Sequence, residues 1–499
     1  MKTKSKKTEV ILFGDLHNHC NISYAHGSLE RAIAFSKLSL DFVSITGHAG
    51  WPDMNTKDPS IKHIIDFHKV GFKKLKKNWN KILETIKKEK GIIIYPGYEV
   101  HSNKYGDQTI VFKDLKKHEL LVDQIDILKK KFKKNKIKNY IFMPHHLSYK
   151  QGRRGVNWDI FEEGVSPVVE LYSMHGCSEN DQAEYPFLHS MGPRNYENTI
   201  KYALENKIKL GFIANTDHHS ASPGSYGHGR FGVLVKSKNR NSIFKSINER
   251  KTFALTGDKI IPNIYLNKKT IGSDVETKKN NLLDINVEGR FPIEYIDIIK
   301  NTNLFKRLNC KDQKNIKNEK NISILNIDFG WGERNKEFLW KGEVQFKNID
   351  IITIENKFRG PEIVSPLDKK SKYSFFIPEV KKFKNKIKFK FLTSGNSNNY
   401  TNETSGFTIL AKLKKNSQIT TITNNKKFEI LTKDLFKGSV SFNLGEIDTP
   451  AILFNKIPNF KEWNFQKKIT LPLKKDDNVY IKIKQKNNQI CWTSPFFIK

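Results

Sequence analysis

From residue 9 to about residue 257, short apolar runs alternate with amphipathic stretches. The runs occupy residues 10–13, 42–46, 92–95, 109–112, 140–143, 168–172 and 210–214, and each has the length and character of a buried strand. Helical patterns lie between them. Residues 29–38 form one, with Ser28 placed to cap it and Arg31 on its outer face. Residues 61–90 form a long, lysine-faced one, and residues 120–132 and 196–206 form two more. Strand–helix repetition predicts an α/β fold. Seven strands with helical or loop excursions suit a distorted seven-stranded β/α (TIM-like) barrel better than an open sheet, and such barrels carry function on the loops at the C-terminal ends of their strands.

Beyond residue 257 the pattern changes. Residues 264–267 and 270–273 read as a hairpin, and strand-like runs follow at 283–287, 293–299, 322–329, 342–346, 351–354, 407–413, 438–443 and 479–485. Short strands separated by polar turns are the signature of β-sandwich modules, one or two here. The expected organisation is an α/β barrel over 1–257, a β-sandwich-like module over 258–380 and a second β-rich module over 381–499. The lysine run at 381–390 suits edge or surface strands, where charge opposes edge pairing.

A chain of 499 residues is long enough for two or three such units. Its 87 Lys+Arg against 52 Asp+Glu give a net charge of +35. That balance permits a nucleic-acid partner but does not favour one, because lysine is spread along the whole chain rather than set in one stripe. The four cysteines, Cys20, Cys177, Cys310 and Cys491, form no C-x-x-C pair, which fits a reducing compartment. The basic start at residues 1–7 is followed by too short an apolar run for a signal-peptide core, and nothing approaches the ~18 apolar residues of a membrane span. A soluble, cytoplasmic protein without membrane contact is expected. Oligomeric state is not legible.

The chemistry gathers at the strand ends. The first strand runs into Gly14-Asp15-Leu16-His17-Asn18-His19, where alternation puts both imidazoles on one side. The second is followed by Gly47-His48, the third by Pro96-Gly97-Tyr98-Glu99. Gly106-Asp107 precedes the fourth, Pro144-His145-His146 ends the fifth, and Asn215-Thr216-Asp217-His218-His219 ends the seventh. Random placement of 15 histidines rarely does this. Convergent imidazoles and carboxylates are the ligand set of Zn, Mn or Fe, and they exceed one tetrahedral shell, so two or three divalent ions are expected.

This order of motifs resembles the polymerase and histidinol phosphatase (PHP) superfamily over about residues 9–257. The resemblance implies a distorted seven-stranded β/α barrel, a bi- or trinuclear metal centre and phosphoester hydrolysis. It implies metal ligands at His17, His19, His48, Glu99, Asp217 and His219, with His218 pointing elsewhere. Either ring of His145 and His146 fits the fifth strand end, with His146 preferred. Two positions depart from the family pattern. Ala25 stands where it usually has an Asp or His, leaving His26 as the substitute. After the glutamate the candidates are Asp107 and His101, with Asp107 preferred because it precedes a strand. In the second half, the segment 252–258, Phe329-Gly330-Trp331, Trp340, Tyr480-Ile481-Lys482-Ile483 and Cys491-Trp492-Thr493-Ser494-Pro495 are similar to a functionally uncharacterised PHP-like branch with a β-rich region after the barrel.

Two metals ~3.5–4 Å apart bring a bridging water toward a neutral pKa and neutralise phosphoryl oxygens in the transition state. His218 or His175 is then a candidate general acid. Arg154, in Gln151-Gly152-Arg153-Arg154-Gly155, and Arg230, after the glycine-bearing segment 222–229, are candidate anchors for an anion. Glu170 suits a supporting role behind the ligands, and residues 177–195 an inserted lid. His63 and His68 are expected at the surface, and Cys20 in the core. A metal-dependent hydrolase, most simply a phosphoesterase of a small phosphorylated or other anionic substrate, is the leading reading. The alternatives are a metal-containing module that binds nucleic acid or glycan, and a hydrolase of amide or lactone bonds.

Overall fold

The computed structural model describes residues 9–499 apart from 55–56, 115–120, 188, 314–315, 317, 319–320, 331–335, 364, 366–371 and 395–403. The basic start, Leu120 and Trp331 lie outside the described residues.

The first half contains β1 (Val10–Asp15), α1 (Leu29–Ser36), β2 (Phe42–Ser44), β3 (Gly47–His48), α2 (Lys62–Lys88), β4 (Ile93–Tyr95), β5 (Gly97–Val100), β6 (Gln108–Phe112) and α3 (Ile125–Lys134). It continues with β7 (Tyr140–Pro144), β8 (Val168–Ser173), β9 (Gly176–Cys177), α4 (Ile200–Glu205), β10 (Gly211–Ala214), β11 (Arg230–Val235), α5 (Arg240–Asn248) and β12 (Thr252–Leu255). All seven expected strands are present. Ser28 caps α1, its Oγ accepting the Arg31 N–H at 3.1 Å.

The arrangement is mixed α/β, and its sheets do not close into a hydrogen-bonded barrel. β1–β2–β4 run parallel in one sheet, β3–β5–β6–β7 form a second, and β10–β8–β9 a third. The ring is interrupted because β1 pairs on its other side with antiparallel β11, which pairs with antiparallel β12. The strands nevertheless share one interior. Leu12, Phe42, Tyr95, Val111, Ile141, Val168, Ile213 and Phe231, from eight different strands, form a single buried cluster.

The second half holds β13 (Ile261–Leu266), β14 (Lys269–Thr270), β15 (Asp274–Val275), β16 (Asn281–Glu288), β17 (Ile293–Lys300), β18 (Asn303–Leu308), β19 (Ser323–Phe329), β20 (Glu337–Lys357), β21 (Glu379–Lys382) and β22 (Lys386–Ser394). It ends with β23 (Ser405–Thr423), β24 (Lys426–Leu431), β25 (Val440–Asn443), β26 (Ala451–Phe454), β27 (Asn464–Leu471), β28 (Asn478–Gln485), β29 (Ile490–Thr493) and β30 (Phe496–Ile498). The two runs expected at 342–346 and 351–354 are one continuous strand, β20.

The expected division near residue 380 falls inside a sheet. β22, beyond it, pairs with β20, before it, from Glu337↔Ser394 to Gln345↔Lys386. Of the lysine-rich pair, β21 is at the sheet edge and β22 is one strand in. The end of the chain returns to the first half, where β29 pairs antiparallel with β12 through Phe253↔Thr493 and Leu255↔Cys491. Residue 257 is therefore a change of pattern along the chain but not a break in the sheet. Phe13, Leu234 and Phe253 share a core with Ile264, Ile285, Ile481 and Phe496. Among the described residues, no helix is long and apolar enough to cross a membrane.

Arg31 does not face outward. It is buried because its Nε donates to Phe376 O at 2.8 Å and its Nη1 donates to Ser220 O at 2.8 Å, to Ser222 Oγ at 2.9 Å and to Ala221 O. It ties α1 to the loop after β10 and to the second half.

Candidate metal centre

His17 and His19 leave β1 on the same side, as period two requires, and their proton positions are set by what lies behind them. His19 Nδ1 is 2.7 Å from Thr46 O, and a carbonyl only accepts. His17 Nδ1 is 2.9 Å from Glu170 Oε2, and an ionised carboxylate only accepts. Both rings therefore carry their proton on Nδ1 and turn the Nε2 lone pair inward, the tautomer that a metal requires. Glu170 is held in turn by Asn215 Nδ2 at 2.9 Å, and Asn215 Oδ1 accepts the Leu16 N–H at 2.7 Å.

Glu99, from β5, sits at the middle. Its Oε2 lies 3.7 Å from His17 Nε2, 3.4 Å from His19 Nε2 and 3.3 Å from His48 Nε2. It is buried and hydrogen-bonds none of them. Its Oε1 meets His145 Nε2 at 2.9 Å and His101 Nε2 at 3.1 Å. Asp217, at φ +50°, plays the matching part opposite. Its Oδ1 is 3.0 Å from His19 Nε2, and its Oδ2 is 3.0 Å from both His146 Nε2 and His175 Nε2.

Among the described residues, five buried triads can each hold an ion: His19, His48 and His219; His17, His19 and Glu99; Asp107, His145 and His146; His146, His175 and Asp217; Glu99, His101 and Asp107. The donor set fits divalent cations. His17 Nε2, Glu99 Oε2 and Asp107 Oδ1 are buried without hydrogen-bond partners, and nitrogen dominates the lining. The electrostatics run the same way. Burial resists the charge on Glu99 and Asp217, but His101 and His48 hold Glu99, and His17 and His175 hold Asp217, well below the usual carboxylate range. Burial and then the neighbouring His19 push His48 and His219 well below the usual imidazole value. Burial opposes charge on His146, but Asp107 and Asp217 on either side raise it to about 9.

The structure thus brings together His17, His19, His48, Glu99, Asp107, His145, His146, Asp217 and His219. Both members of Pro144-His145-His146 face the cluster, one toward Glu99 and the other between Asp107 and Asp217. His26 is buried beside the cluster, its N–H donating to His219 O at 2.9 Å, but its ring joins none of these triads. His218 turns away. The Ser220 N–H donates to its Nδ1 at 3.0 Å, which leaves the ring proton on Nε2 and denies that nitrogen a lone pair for a metal, and the ring joins none of these triads.

Arg154 borders the centre, with Nη1 3.1 Å from Asp107 Oδ2 and its guanidinium 4.8 Å over the Trp51 ring. Arg230 does not. It is buried at the start of β11, and its Nη2 donates to Gly224 O at 2.6 Å, so it braces the loop from beneath. The expected lid at 177–195 is anchored to the second half. Glu179 accepts from Tyr480 Oη and from Lys482 Nζ, both at 2.9 Å, and Tyr185 Oη donates to Asn488 O at 2.9 Å.

Three residues of the centre were ranked second, placed wrongly or not named. His101, weighed against Asp107 and set behind it, follows Glu99 by two on the same strand end, the spacing that singled out His17 and His19, and joins Asp107 in one triad. His68 is buried rather than at the surface, because it falls in the stripe Ile65, His68, Phe72, Leu75, Trp79, Ile82 of α2. Its Nδ1 donates to Ile64 O at 2.8 Å, and its Nε2 meets Tyr24 Oη at 2.9 Å. Tyr24 itself stacks on His48, with ring centroids 4.0 Å apart. His63 is exposed, and Cys20 is in the core.

No family model matches the chain. Among curated proteins, an uncharacterised protein of Chlamydia trachomatis is 29% identical over 194 residues, which is 36% of this chain and 31% of that protein. One from Chlamydia muridarum is 28% identical over 191 residues, 35% of this chain and 30% of its own length. The chain therefore spans under a third of those relatives. Among solved structures, a two-domain protein from Bacteroides vulgatus containing a predicted PHP-like metal-dependent phosphoesterase superposes at TM-score 0.32, with 13% identity, over 85% of this chain and 95% of that one. Endonuclease Q in complex with a 27-mer duplex carrying an abasic lesion superposes at TM-score 0.29, with 15% identity, over 48% of this chain and 56% of that one.

Proposed function

We propose that this chain is a metal-dependent hydrolase and that the bond it breaks is a phosphate ester. One observation carries the reading: Glu99 Oε2, buried and without a hydrogen bond, is ringed by Nε2 of His17, His19 and His48 at 3.7, 3.4 and 3.3 Å. A carboxylate oxygen set among inward-facing imidazole nitrogens is arranged for cations, since without them its burial costs several kcal/mol.

On this reading His17, His19, Glu99 and Asp217 would hold one ion, and His101, Asp107 and His145 with Glu99 would hold a second. His48 and His219 with His19 offer a third position, so the chain would hold two or three ions of Zn, Mn or Fe. When bound, such ions supply a water activated near neutral pH and positive charge against phosphoryl oxygens. The chain's own groups do the rest. Glu170 and Thr46 O fix the ligand tautomers. Arg154 presents a forked cation on the Asp107 side for a substrate oxygen. His175 Nε2, 3.0 Å from Asp217 Oδ2, holds a proton for the leaving group. The four cysteines are unpaired, and we place the protein in the cytoplasm with a small phosphorylated substrate.

Metal analysis of protein purified without chelators, with hydrolysis of bis(p-nitrophenyl) phosphate and p-nitrophenyl phosphate in added Mn or Zn, tests the reading. Stoichiometric metal, with turnover lost in Asp217→Ala, is expected. Salt-dependent DNA or RNA retention that survives Asp217→Ala, without turnover, would replace it with a binding module. Turnover of a lactone or amide panel alone would move the bond away from phosphate.

A further inference from the structure

Behind the metal centre a second pair of buried imidazoles meets the C-terminal half. The Ser220 N–H donates to His218 Nδ1 at 3.0 Å, so the His218 proton is on Nε2. That Nε2 is buried and hydrogen-bonds nothing. His228, whose ring centroid is 5.3 Å away, is the reverse case. Its Nε2 lies 3.1 Å from Glu362 Oε1, so the proton sits on Nε2 and Nδ1 keeps its lone pair. That Nδ1 is also buried without a partner. Glu362 is a dependable acceptor. Burial resists its charge, but His228 and Arg359 hold it well below the usual carboxylate range.

One orphaned donor thus stands close to one orphaned acceptor. Each costs free energy while unmade, and a single group able to accept from one and donate to the other satisfies both. A hydroxyl is such a group, with one donor and two lone pairs.

The wall over this pair comes from residues 358–363, after β20. The Tyr226 N–H donates to Phe358 O at 2.8 Å, and the Gly360 N–H to Ser225 Oγ at 2.8 Å. Arg359 Nε donates to Glu362 Oε1 at 2.6 Å. A Cβ on Gly360 would stand 2.7 Å from His218 Nε2 and 2.5 Å from Ser222 Oγ, so only glycine lets this backbone lie so close. The pair also flanks the metal centre. His228 is near enough to His175 for the two rings to oppose each other's charge. The Glu362 side chain, which holds His228, is 40% exposed at the rim of this pair.

We propose that His218 Nε2–H and His228 Nδ1 together hold one hydroxyl of the organic part of the substrate, which makes hydroxyl-bearing phosphate esters the substrate class. The proposal rests on the phosphoesterase reading. It also gives the β-rich half a function, because residues 358–363 close the subsite over substrate bound in the other half.

The test compares kcat/KM of the metal-loaded full chain for 2-hydroxyethyl, 3-hydroxypropyl and glyceryl phosphate against ethyl and propyl phosphate. A preference on the order of ten- to a hundredfold for at least one hydroxylated ester is expected. His228→Leu should bring that ratio close to one. His228→Asn, whose amide oxygen can stand where Nδ1 does, should restore part of it. Gly360→Ala, whose Cβ would press on His218 Nε2 and displace the wall, should lower the ratio with both imidazoles retained. Thermal unfolding of each variant separates misfolding from lost recognition. A wild-type ratio near one, the result if only water bridges the two rings, overturns the proposal and leaves the phosphoesterase reading standing. Equal losses on both ester types in His228→Leu overturn it as well, because a merely structural role lowers numerator and denominator alike. No turnover of any ester, p-nitrophenyl phosphate included, removes both.

Discussion

Glu170 accepts the Nδ1–H of His17 at 2.9 Å across 153 positions of chain. The bond joins β8 to the end of β1 and fixes which nitrogen of His17 faces Glu99. A metal ligand's orientation is set by such outer partners, and their loss typically costs ten- to a hundredfold in metal affinity. Glu170→Ala is therefore expected to weaken metal binding by about that factor while every ligand remains in place. Competition with a chromogenic chelator checks it. An unchanged dissociation constant would show that packing alone holds the His17 ring.

The metal-free protein should respond to pH through His146. Its folded value is about 9, because Asp107 and Asp217 outweigh burial, whereas an unfolded imidazole titrates near 6.5. A raised value stabilises the fold fully below the unfolded pKa, and the contribution fades as pH rises from about 6.5 to about 9. The gap corresponds to on the order of 3 kcal/mol. Chelator-treated wild type should lose Tm over that window, and His146→Gln should show a shallower slope. Burial gives His68 the opposite behaviour. Its value falls to about 3, so its contribution is present above pH 6.5 and is lost on acidification toward 3. Parallel slopes for wild type and His146→Gln between pH 6.5 and 9 would remove His146 as the source.

Much of this centre was legible because metal ligands obey local rules. Two histidines two residues apart after an apolar run must share a side, and the same rule, applied to Glu99 and His101, would have set His101 level with Asp107 rather than behind it. His68 was misplaced because its spacing was compared with other histidines rather than with the apolar stripe of its helix. The barrel expectation identified the right seven strands but not their pairing. Residues 10–14 carry nothing that says β11 will lie antiparallel beside them, or that β29, more than 230 positions after β12, will extend the same sheet. The division expected near 380 falls where β22 pairs inward with β20, and the lysine run beside it carries no mark of that pairing. Arg31 was set outward from its place two residues beyond Leu29 on the helix, and it goes inside because four acceptors wait for it.

Those acceptors make Arg31 a stability element outside the metal shell. Arg31→Met keeps the stem but takes the guanidinium donor from the Ala221, Ser220 and Phe376 carbonyls, of which Ser220 O keeps the Ser222 hydroxyl. A buried acceptor so stranded costs about 1–3 kcal/mol, and a loss of at least that size is expected. Chemical denaturation should show the midpoint falling at nearly constant m value. Metal affinity should fall with it, since the loop anchored by Arg31 begins right after His219. A variant as stable as wild type would mean that water replaces the guanidinium.

Trp492 couples the far end of the chain to the rim of the site. It is fully buried on β29, and its ring lies along that of Tyr172, with centroids 6.2 Å apart. Tyr172 Oη donates to Gly227 O at 2.7 Å, one residue before His228. Trp492→Ala is expected to cost about 3–5 kcal/mol, the usual penalty for a large core cavity. Trp492→Phe, which refills most of the volume, should recover much of it. If the two halves act as one unit, the Ala variant should also lose catalytic efficiency under conditions where it remains folded, because Tyr172 loses the surface that holds its hydroxyl against Gly227. Near-ultraviolet circular dichroism identifies the folded range, and turnover measured within it decides. A folded Trp492→Ala protein with wild-type kcat/KM would mean that β29 closes the sheet without positioning the site.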